Sequence, residues 1–412
     1  MKNSNNITFH QHVLPNGLRL IHEPSPTGVV YCGYIIGSGT RHEEENDSGM
    51  AHFCEHMTFK GTERRRSWHI RNSLERVGGD LNAFTNKEIT VFYATVQKED
   101  FPRAVDLLSD IVFSSVYPQS EIDKEVEVIV DEIDSYNDSP AELIYDDFEE
   151  MLFKGHGLGR NILGTAERLR QYQTQDALRF TRRHYVPNNA TFFILGQVDF
   201  DRAVKLVERH TAAFGPTPLV KPLQPLPDYE AQTLTCERET HQAHVLMGNR
   251  GYSIVHPDRT ALFLLNNILG GPGMNSRLNV SLREQHGLVY NVESNTFSYQ
   301  DTGVWSVYFG CEESKVSRCR QLVVHQLEEL CSTPLSERTL SMAKKQLIGQ
   351  ILIAGDNFES YAIAMGKAYA LTGRHRNVNA ICQRIQSITA SDLMRVAQDV
   401  FSPAQLTTLI YH

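Results

Sequence analysis

The chain has 412 residues, of which 41% are hydrophobic and 22% charged, and its formal net charge at pH 7 is −9. A chain of this length is expected to fold as about two to four domains with a large apolar core and no disulfide framework. The acidic balance argues against a nucleic-acid-binding protein and against a polybasic membrane anchor, because both need a basic surface.

The sequence shows no signal for a membrane. No stretch reaches the roughly 18 consecutive apolar residues of a membrane helix. The N-terminal MKNSNNITFHQHVLPNG has one lysine and no apolar core, unlike a secretory signal, and it is not arginine-rich like a mitochondrial transit peptide. The seven cysteines include no C-x-x-C pair and are expected to be reduced thiols used mainly in packing. We therefore expect a cytoplasmic protein.

The first half of the chain alternates predicted strands and helices. LRLIHEPS and VVYCGYIIGSG have strand-like patterns, and helices are predicted from about Gly49 to Phe59 and from Ser67 to Val77. LNAFTN and TVFYATV follow as strands, and FPRAVDLLSDIVF as a helix with apolar residues at helical spacing. SEIDKEVEVIVDEIDSY is predicted to form the next helix, with Ser120 as its N-cap.

A proline-rich linker, residues 213–230, separates this half from a second half with the same order of elements. Five of the 16 prolines lie between Pro216 and Pro227, which excludes a helix interior. We therefore predict an α+β protein of two similar lobes, 1–212 and 231–412, each a mostly antiparallel sheet packed with helices.

The two halves resemble a duplication in which one copy kept polar chemistry. A shift of 210 residues aligns Leu262, Leu265 and Asn266 with His52, Glu55 and His56. The first lobe is therefore the predicted metal-binding lobe, and the second is a predicted copy of the fold without a metal site.

The segment SGMAHFCEHMTFKGT contains His52, Glu55 and His56 in the order H-x-x-E-H. On a helix these positions fall within about a third of a turn, so two imidazoles at i and i+4 can share one metal ion. Cys54 points to the opposite side and is a poor ligand candidate. Glu55 lies close enough to take a proton from a metal-bound water.

The alternative interpretation is a surface helix that carries two histidines and a glutamate by chance, since the motif is short. The apolar neighbours Met50, Phe53 and Met57 indicate a buried helix instead. Unpaired buried polar groups are costly, and one metal ion would satisfy three of them.

Catalytic zinc usually takes three protein ligands and one water, so a third ligand is expected from elsewhere in the chain. The helix SEIDKEVEVIVDEIDSY offers Glu125 and Glu132, seven residues apart on nearly the same stripe. Such a pair suggests one ligand and one supporting group. The alternative is a solvated acidic face, and spacing alone does not choose among the many acids of this segment.

Several motifs in chain order resemble the pitrilysin family of zinc peptidases, the inverzincins. H-x-x-E-H is followed after 75 intervening residues by Glu132 in VIVDE, and HFCEHMTFKGT is similar to the metal helix of that family. GGDLNAFTNKEIT resembles its G-G-x-x-N-A-x-T-x-x-E-x-T segment, and LREQHGLVYNV its R-E-x-x-G-L-x-Y-x-V. The resemblance covers essentially the whole chain. In length and two-lobed organisation the chain resembles the small bacterial branch of the family, whose members are similar to mitochondrial processing peptidase subunits.

The resemblance implies a zinc endopeptidase with one zinc ion per chain. It implies that His52, His56 and Glu132 ligate the metal and that Glu55 is the general base. Glu125 matches the second glutamate of the family, which supports the metal site. All these positions carry the residue types of active members, which favours a working enzyme.

The resemblance also implies residues for the substrate and the transition state. Asn82, Ala83 and Phe84 match an edge strand to which an extended peptide adds its backbone; the alternative is a plain core strand. Arg283 and Tyr290 match the pair that the second lobe contributes to the cleft, where Tyr290 would help to stabilise the oxyanion.

Substrate preference is suggested by charge and by the same resemblance. Residues 121–150 contain 13 acids and one lysine, a local charge of −12. Glu142 and Asp146 lie at the spacing at which the processing peptidases receive an arginine near the cut, so a preference for basic peptides is implied; the alternative is a solvated acidic helix. Phe59 matches the position that shapes the pocket after the cut.

The resemblance implies a homodimer that acts on peptides or unfolded polypeptides, without nucleic acid or membrane partners. Two competing hypotheses remain from the sequence. One is a non-catalytic structural or assembly subunit of the same fold, and the other is a metal-binding module without hydrolysis.

Overall fold

The structure is a computed structural model that describes residues 8–218, 223–238 and 240–412. Residues 1–7 of the N-terminal segment and residues 219–222 of the predicted linker lie outside the described residues. None of the helices in the described part of the chain is long and apolar enough to cross a membrane.

Strands and helices alternate along the first half of the chain. They are β1 (His10–Val13), β2 (Arg19–Glu23), β3 (Val29–Ile36), α1 (Met50–Thr58), α2 (Ser67–Glu75), β4 (Asp80–Thr85), β5 (Thr90–Gln97), α3 (Phe101–Phe113), α4 (Gln119–Asn137), α5 (Pro140–Leu152), α6 (Ala166–Leu169), α7 (Thr174–His184), β6 (Ala190–Leu195) and α8 (Phe200–Thr211).

The second half repeats much of this order. Its elements are β7 (Thr233–Cys236), β8 (Ala243–Gly251), α9 (Arg259–Gly270), a π-helical turn (Asn279–Gln285), β9 (Val289–Ser298), β10 (Gly303–Cys311), α10 (Val316–Ser332), α11 (Glu337–Ala354), α12 (Phe358–Thr372), α13 (Val378–Ser387), α14 (Ala390–Val400) and β11 (Thr407–Tyr411).

The predicted start of one helix is wrong. Helix α4 begins at Gln119, so Ser120 lies inside its first turn and is not its N-cap. Pro118 precedes the first residue of the helix, and its carbonyl oxygen accepts hydrogen bonds from the N–H groups of Glu121 (2.9 Å) and Ile122 (3.0 Å). Proline fixes its own backbone angle, which favours a helix start at this point.

Two sheets confirm the predicted α+β fold. The first has the strand order β1-β2-β6-β3-β5-β4 and the second has the order β7-β11-β8-β10-β9. Each sheet contains one parallel pair, β2 with β6 and β7 with β11, and its other pairs are antiparallel. Without β1, the two orders correspond strand for strand, which supports the predicted duplication.

The chain forms two compact units that do not follow its two halves. Unit 1 contains the described residues of Met1–Asp134, Arg160–Pro225 and Gly355–Arg376. Unit 2 contains Ser135–Gly159 and the described residues of Leu226–Ala354 and Asn377–His412. The predicted boundaries 1–212, 213–230 and 231–412 follow the chain and differ from these units, because each half gives one helix to the other unit.

The exchanged helices are α5 and α12. In unit 2, α5 buries Ile144 and Phe148 in an apolar cluster with Leu246 of β8. In unit 1, α12 buries Met365 in a cluster with Phe193 of β6. Which sheet a helix covers depends on long-range packing, so local sequence patterns do not reveal the exchange.

Candidate metal centre

Helix α1 begins in a buried turn that a distant carboxylate stabilises. Gly49 stands at its N-cap with φ 79° and has no side chain to bond the first N–H groups. Glu43 replaces that cap: its carboxylate accepts hydrogen bonds from the N–H groups of Gly49 (3.1 Å) and Ala51 (2.9 Å). Burial raises the pKa of Glu43 to about 8. The start of the helix that carries H-x-x-E-H is therefore fixed.

The structure brings His52, His56 and Glu132 together. The two imidazole centroids lie 4.6 Å apart. Glu132, on α4, places one carboxylate oxygen 3.9 Å from His52 Nε2 and the other 3.5 Å from His56 Nε2. One ligand atom from each residue lies within 4.8 Å of the others, and no other such group of histidine, cysteine or acidic residues occurs in the described residues.

Glu125 lies behind His56 and orients its ring. His56 Nδ1 lies 3.1 Å from a Glu125 oxygen, so Nδ1 donates the proton and Nε2 is left facing Glu132. Burial opposes the charge on His56, but the hydrogen bond to Glu125 and the nearby carboxylates raise its pKa overall. In metal-binding histidines, the ring nitrogen that does not face the metal typically donates a hydrogen bond to a carboxylate.

Lys60, which the sequence analysis did not single out, forms an ion pair with the other Glu125 oxygen. Burial would raise the pKa of Glu125, but its bonds to His56 and Lys60 lower it overall. The lysine of the FKGT segment, four residues after His56, was the available signal.

Glu55 is buried beside the two histidines. Burial raises its pKa, and a hydrogen bond with Thr85 of β4 offsets part of that effect. Its Oε2 atom has no hydrogen-bond partner among the described residues. Glu55 therefore holds a buried carboxylate oxygen beside the histidines whose hydrogen bonding the described residues leave unsatisfied.

The donor set fits a divalent metal ion. Burial, and then the neighbouring His56, lower the pKa of His52 to about 3, so its imidazole is neutral at pH 7. Neutral imidazole nitrogens and a carboxylate are the donors of catalytic zinc sites, and an imidazole must be neutral to bind a metal. The three side chains thus present a ligand set suited to zinc.

Strand β4 lies at the edge of the first sheet, beside α1. It contains Asn82, Ala83 and Phe84 and pairs with β5 alone among the described strands. Ala83 packs against the apolar core that contains α1, while the Phe84 ring contacts Tyr93 on the other face. Phe59, just after α1, packs against the same core as Ala83.

The other predicted site residues belong to unit 2. Glu142 and Asp146 lie on α5, one turn apart, with Tyr136 near both. The Arg283 guanidinium lies 5.8 Å from the centroid of the Tyr290 ring, and Tyr290 is 86% exposed on strand β9. Their roles in substrate binding and catalysis stay predictions.

Comparisons with known proteins point to one family. Residues 19–166 match a family described as insulinase (peptidase family M16), and residues 172–347 match one described as the peptidase M16 inactive domain. The second match contains Leu262, Leu265 and Asn266, where the duplicated helix lacks the metal ligands.

The similar proteins cover nearly the whole chain. An uncharacterized zinc protease, YmxG of Bacillus subtilis, is 31% identical over 401 residues, which is 97% of this chain and 97% of the relative. An uncharacterized zinc protease of Rickettsia bellii is 30% identical over 405 residues, 98% of this chain and 97% of the relative. The crystal structure of a protease from Helicobacter pylori has a TM-score of 0.91 at 22% identity and covers 98% of this chain and 99% of that one.

The fold and the cluster define a class of duplicated α+β proteins with an H-x-x-E-H helix in one copy. The chain belongs to peptidase family M16, the pitrilysin or insulinase family, whose curated relatives are named zinc proteases.

Proposed function

We propose that the protein is a zinc-dependent endopeptidase that hydrolyses extended peptides or unfolded segments of proteins. The observation that carries the proposal is the approach of His52, His56 and Glu132 to one point beside the buried carboxylate of Glu55. Membership of a family with relatives named zinc proteases supports the same reaction class.

Different residues of the chain are proposed to bind the metal and to orient its ligands. When bound, a zinc ion supplies a Lewis acid that activates water and polarises a carbonyl group. His52, His56 and Glu132 hold the ion, and Glu125 with Lys60 keeps the His56 ring in its binding orientation. Each of these residues lies on or just after α1 or on α4, so these two helices set the geometry.

Glu55 is the proposed general base. Its carboxylate takes a proton from the attacking water and then passes that proton to the leaving amine. Burial raises the pKa of Glu55, and a more basic carboxylate accepts a proton from water more readily.

Strand β4 is the proposed binding site for the substrate backbone. An extended peptide that pairs with the free edge of β4 near Asn82, Ala83 and Phe84 would run beside α1 and its metal ligands. Backbone pairing accepts many sequences but requires an unfolded segment. Phe59 is proposed to shape the pocket for the residue after the cut.

Further roles rest on the resemblance. Tyr290, with Arg283, is proposed to stabilise the developing oxyanion, and Tyr290→Phe should lower turnover. Glu142 and Asp146 are proposed to favour a basic residue, which a cleavage profile over a peptide library tests. A homodimer in the cytoplasm is proposed as the working form, and sedimentation of the active protein as a 46.7 kDa monomer would contradict it.

One comparison tests the proposed reaction against the non-catalytic alternatives. Wild type, Glu55→Gln and a control at an exposed glutamate of the same half, Glu45→Gln, are assayed on a quenched peptide that contains arginine, and their zinc content is measured. We expect zinc in all three and cleavage by wild type and Glu45→Gln, with turnover by Glu55→Gln reduced about 100- to 10,000-fold. Wild type that holds zinc and cleaves nothing would favour a binding module, and absence of zinc from all three would favour a structural subunit.

A further inference from the structure

Lys367 lies beside the edge strand β4, and no anionic partner for it is found among the described residues. It lies on the exchanged helix α12, and its Nζ atom is 5.5 Å from the centroid of the Phe84 ring on β4. It is only partly exposed, and burial alone lowers its pKa, with no charged neighbour contributing to the shift. Within the described residues, the ammonium of Lys367 lies over the Phe84 ring and has no hydrogen bond or ion pair.

The one acid that α12 presents to this part of the sheet is already bonded. Glu359 accepts hydrogen bonds from the hydroxyls of Thr95 (3.2 Å) and Tyr93 (3.4 Å), two turns of helix before Lys367. A largely buried ammonium usually has a carboxylate partner, because removal of its hydration is costly. The environment of Lys367 lacks that partner and is open to one from outside the chain.

The pleat of β4 determines which substrate side chains reach Lys367. Leu81 and Ala83 pack against the core shared with α1, whereas Phe84 points to the face that α12 covers. A peptide strand paired with β4 alternates in the same way, so every second side chain lies on the Phe84 face. The residue directly across from Phe84 would have its Cβ about 4.5–5.5 Å from that of Phe84. Its side chain would then lie within reach of the Lys367 ammonium.

We propose that Lys367 selects a carboxylate in the bound peptide, at the residue that lies across from Phe84. The carboxylate is either an aspartate or glutamate side chain or the C-terminal carboxylate of a short substrate. This inference rests on the proposed peptidase function and adds a specificity-determining residue to it. Lys367 acts on the α12 face of the added strand, and the metal ligands act on the α1 face.

A peptide series tests the proposal. One glutamine is moved along a quenched peptide and replaced by glutamate at each position, and each peptide is made with a free and an amidated C-terminus. We expect wild type to cleave the glutamate form of one position about fivefold better in kcat/KM than the glutamine form, the effect of one partly exposed ion pair. A preference for the free over the amidated terminus would identify the terminal carboxylate as the source.

Three variants assign the effect to the ammonium. Lys367→Met keeps the length and apolar stem of the side chain, and it should bring the ratio of kcat/KM for the glutamate and glutamine peptides to about one. Lys367→Arg keeps the charge and should retain the wild-type ratio. Lys205→Met, at an exposed lysine of α8, is the matched control and should keep the wild-type ratio. Melting temperatures of all variants are compared, and Lys367→Arg keeps the test valid if Lys367→Met folds poorly.

Binding without turnover gives a second readout. In the Glu55→Gln background, the glutamate peptide should bind about fivefold more tightly than the glutamine peptide by fluorescence anisotropy, and Lys367→Met should remove the difference. Equal use of both peptides by an active wild type, or an unchanged ratio in Lys367→Met, would overturn the role of Lys367. Failure of wild type to cleave any peptide would instead refute the peptidase proposal.

Discussion

Helices α1 and α9 occupy the same place in the two duplicated folds but carry different chemistry. On α9, Leu262 and Leu265 are buried in the core of unit 2, and the Asn266 side chain donates a hydrogen bond of 2.8 Å to the carbonyl oxygen of Ser294 on β9. On α1, the aligned positions are His52, Glu55 and His56, where Glu55 Oε2 and His52 Nδ1 have no partner within the described residues.

The difference shows that the fold does not need polar side chains at these positions. Unit 2 fills them with two leucines and an internally bonded amide, which satisfies both packing and hydrogen bonding. Buried polar atoms without partners lower the stability of a protein. These residues of α1 therefore lower the stability of the fold. What they provide instead is the cluster of His52, His56 and Glu132, which fits a metal ion.

The largest effect is expected when a metal ligand of α1 is replaced by the leucine that α9 carries at the aligned position. His52→Leu should abolish zinc binding and reduce peptide cleavage to background, because one of three ligands is lost. The metal-free variant should be no less stable than metal-free wild type, since a buried nitrogen without a partner, which costs about 1–3 kcal/mol, is removed. Zinc content and urea unfolding after treatment with a chelator measure both effects.

The reciprocal change in unit 2 is the control. Leu262→His should lower the free energy of unfolding by at least about 2 kcal/mol, because it puts a polar ring into an apolar core. If His52→Leu destabilised the metal-free protein as much as Leu262→His does, the histidine would be a structural residue and the contrast between the two helices would fail.

A smaller effect is expected at the carboxylate behind His56. Glu125→Gln keeps the size of the side chain but removes the charge that bonds His56 and Lys60. Zinc affinity should fall about 10- to 100-fold, as for other carboxylates that orient a ligating histidine. Glu127→Gln, on the exposed side of α4, is the matched control, and equal losses of affinity in the two variants would remove the special role of Glu125.

A smaller difference is expected in how far low pH lowers the stability of the two units. Burial lowers the pKa of His42 to about 4 and that of His184 to about 3, both in unit 1. A histidine with a lowered pKa in the folded state binds its proton more readily when unfolded. Its contribution to stability is therefore complete above the ordinary pKa of about 6.5 and is lost as the pH falls toward 3–4.

Hydrogen exchange measures this difference. As the pH is lowered from 7 to 4 without zinc, amides of β3 in unit 1 should lose protection before amides of α9 in unit 2, after correction for the intrinsic exchange rate. His184→Phe keeps a ring against Phe180 and should reduce the difference between the pH values at which the two units lose protection. Earlier loss of protection in α9 would contradict the expectation that His42 and His184 make unit 1 the more acid-sensitive unit.

The sequence was sufficient for the local features of the site. Residues one helical turn apart must share a face, so H-x-x-E-H predicted a helix with two clustered imidazoles, and the structure brings Glu132 to them as the family resemblance implied. Spacing alone did not select Glu132, because α4 carries many acids and a distant contact depends on how helices pack.

Long-range features were not predictable from the same patterns. Nothing in the sequence of α5 or α12 specifies the sheet that each helix covers. Glu43 lies six residues before the N–H of Gly49 that it bonds, so no capping pattern detects it. Lys367 is separated from Phe84 by most of the chain and becomes its neighbour only through the exchange of α12.

The most direct test is anomalous X-ray scattering at the zinc edge from crystals of the full chain grown with zinc. The account predicts one strong peak per chain, about 2.0–2.2 Å from His52 Nε2, His56 Nε2 and a carboxylate oxygen of Glu132. A peak bound by other residues, or no peak between α1 and α4, would contradict it.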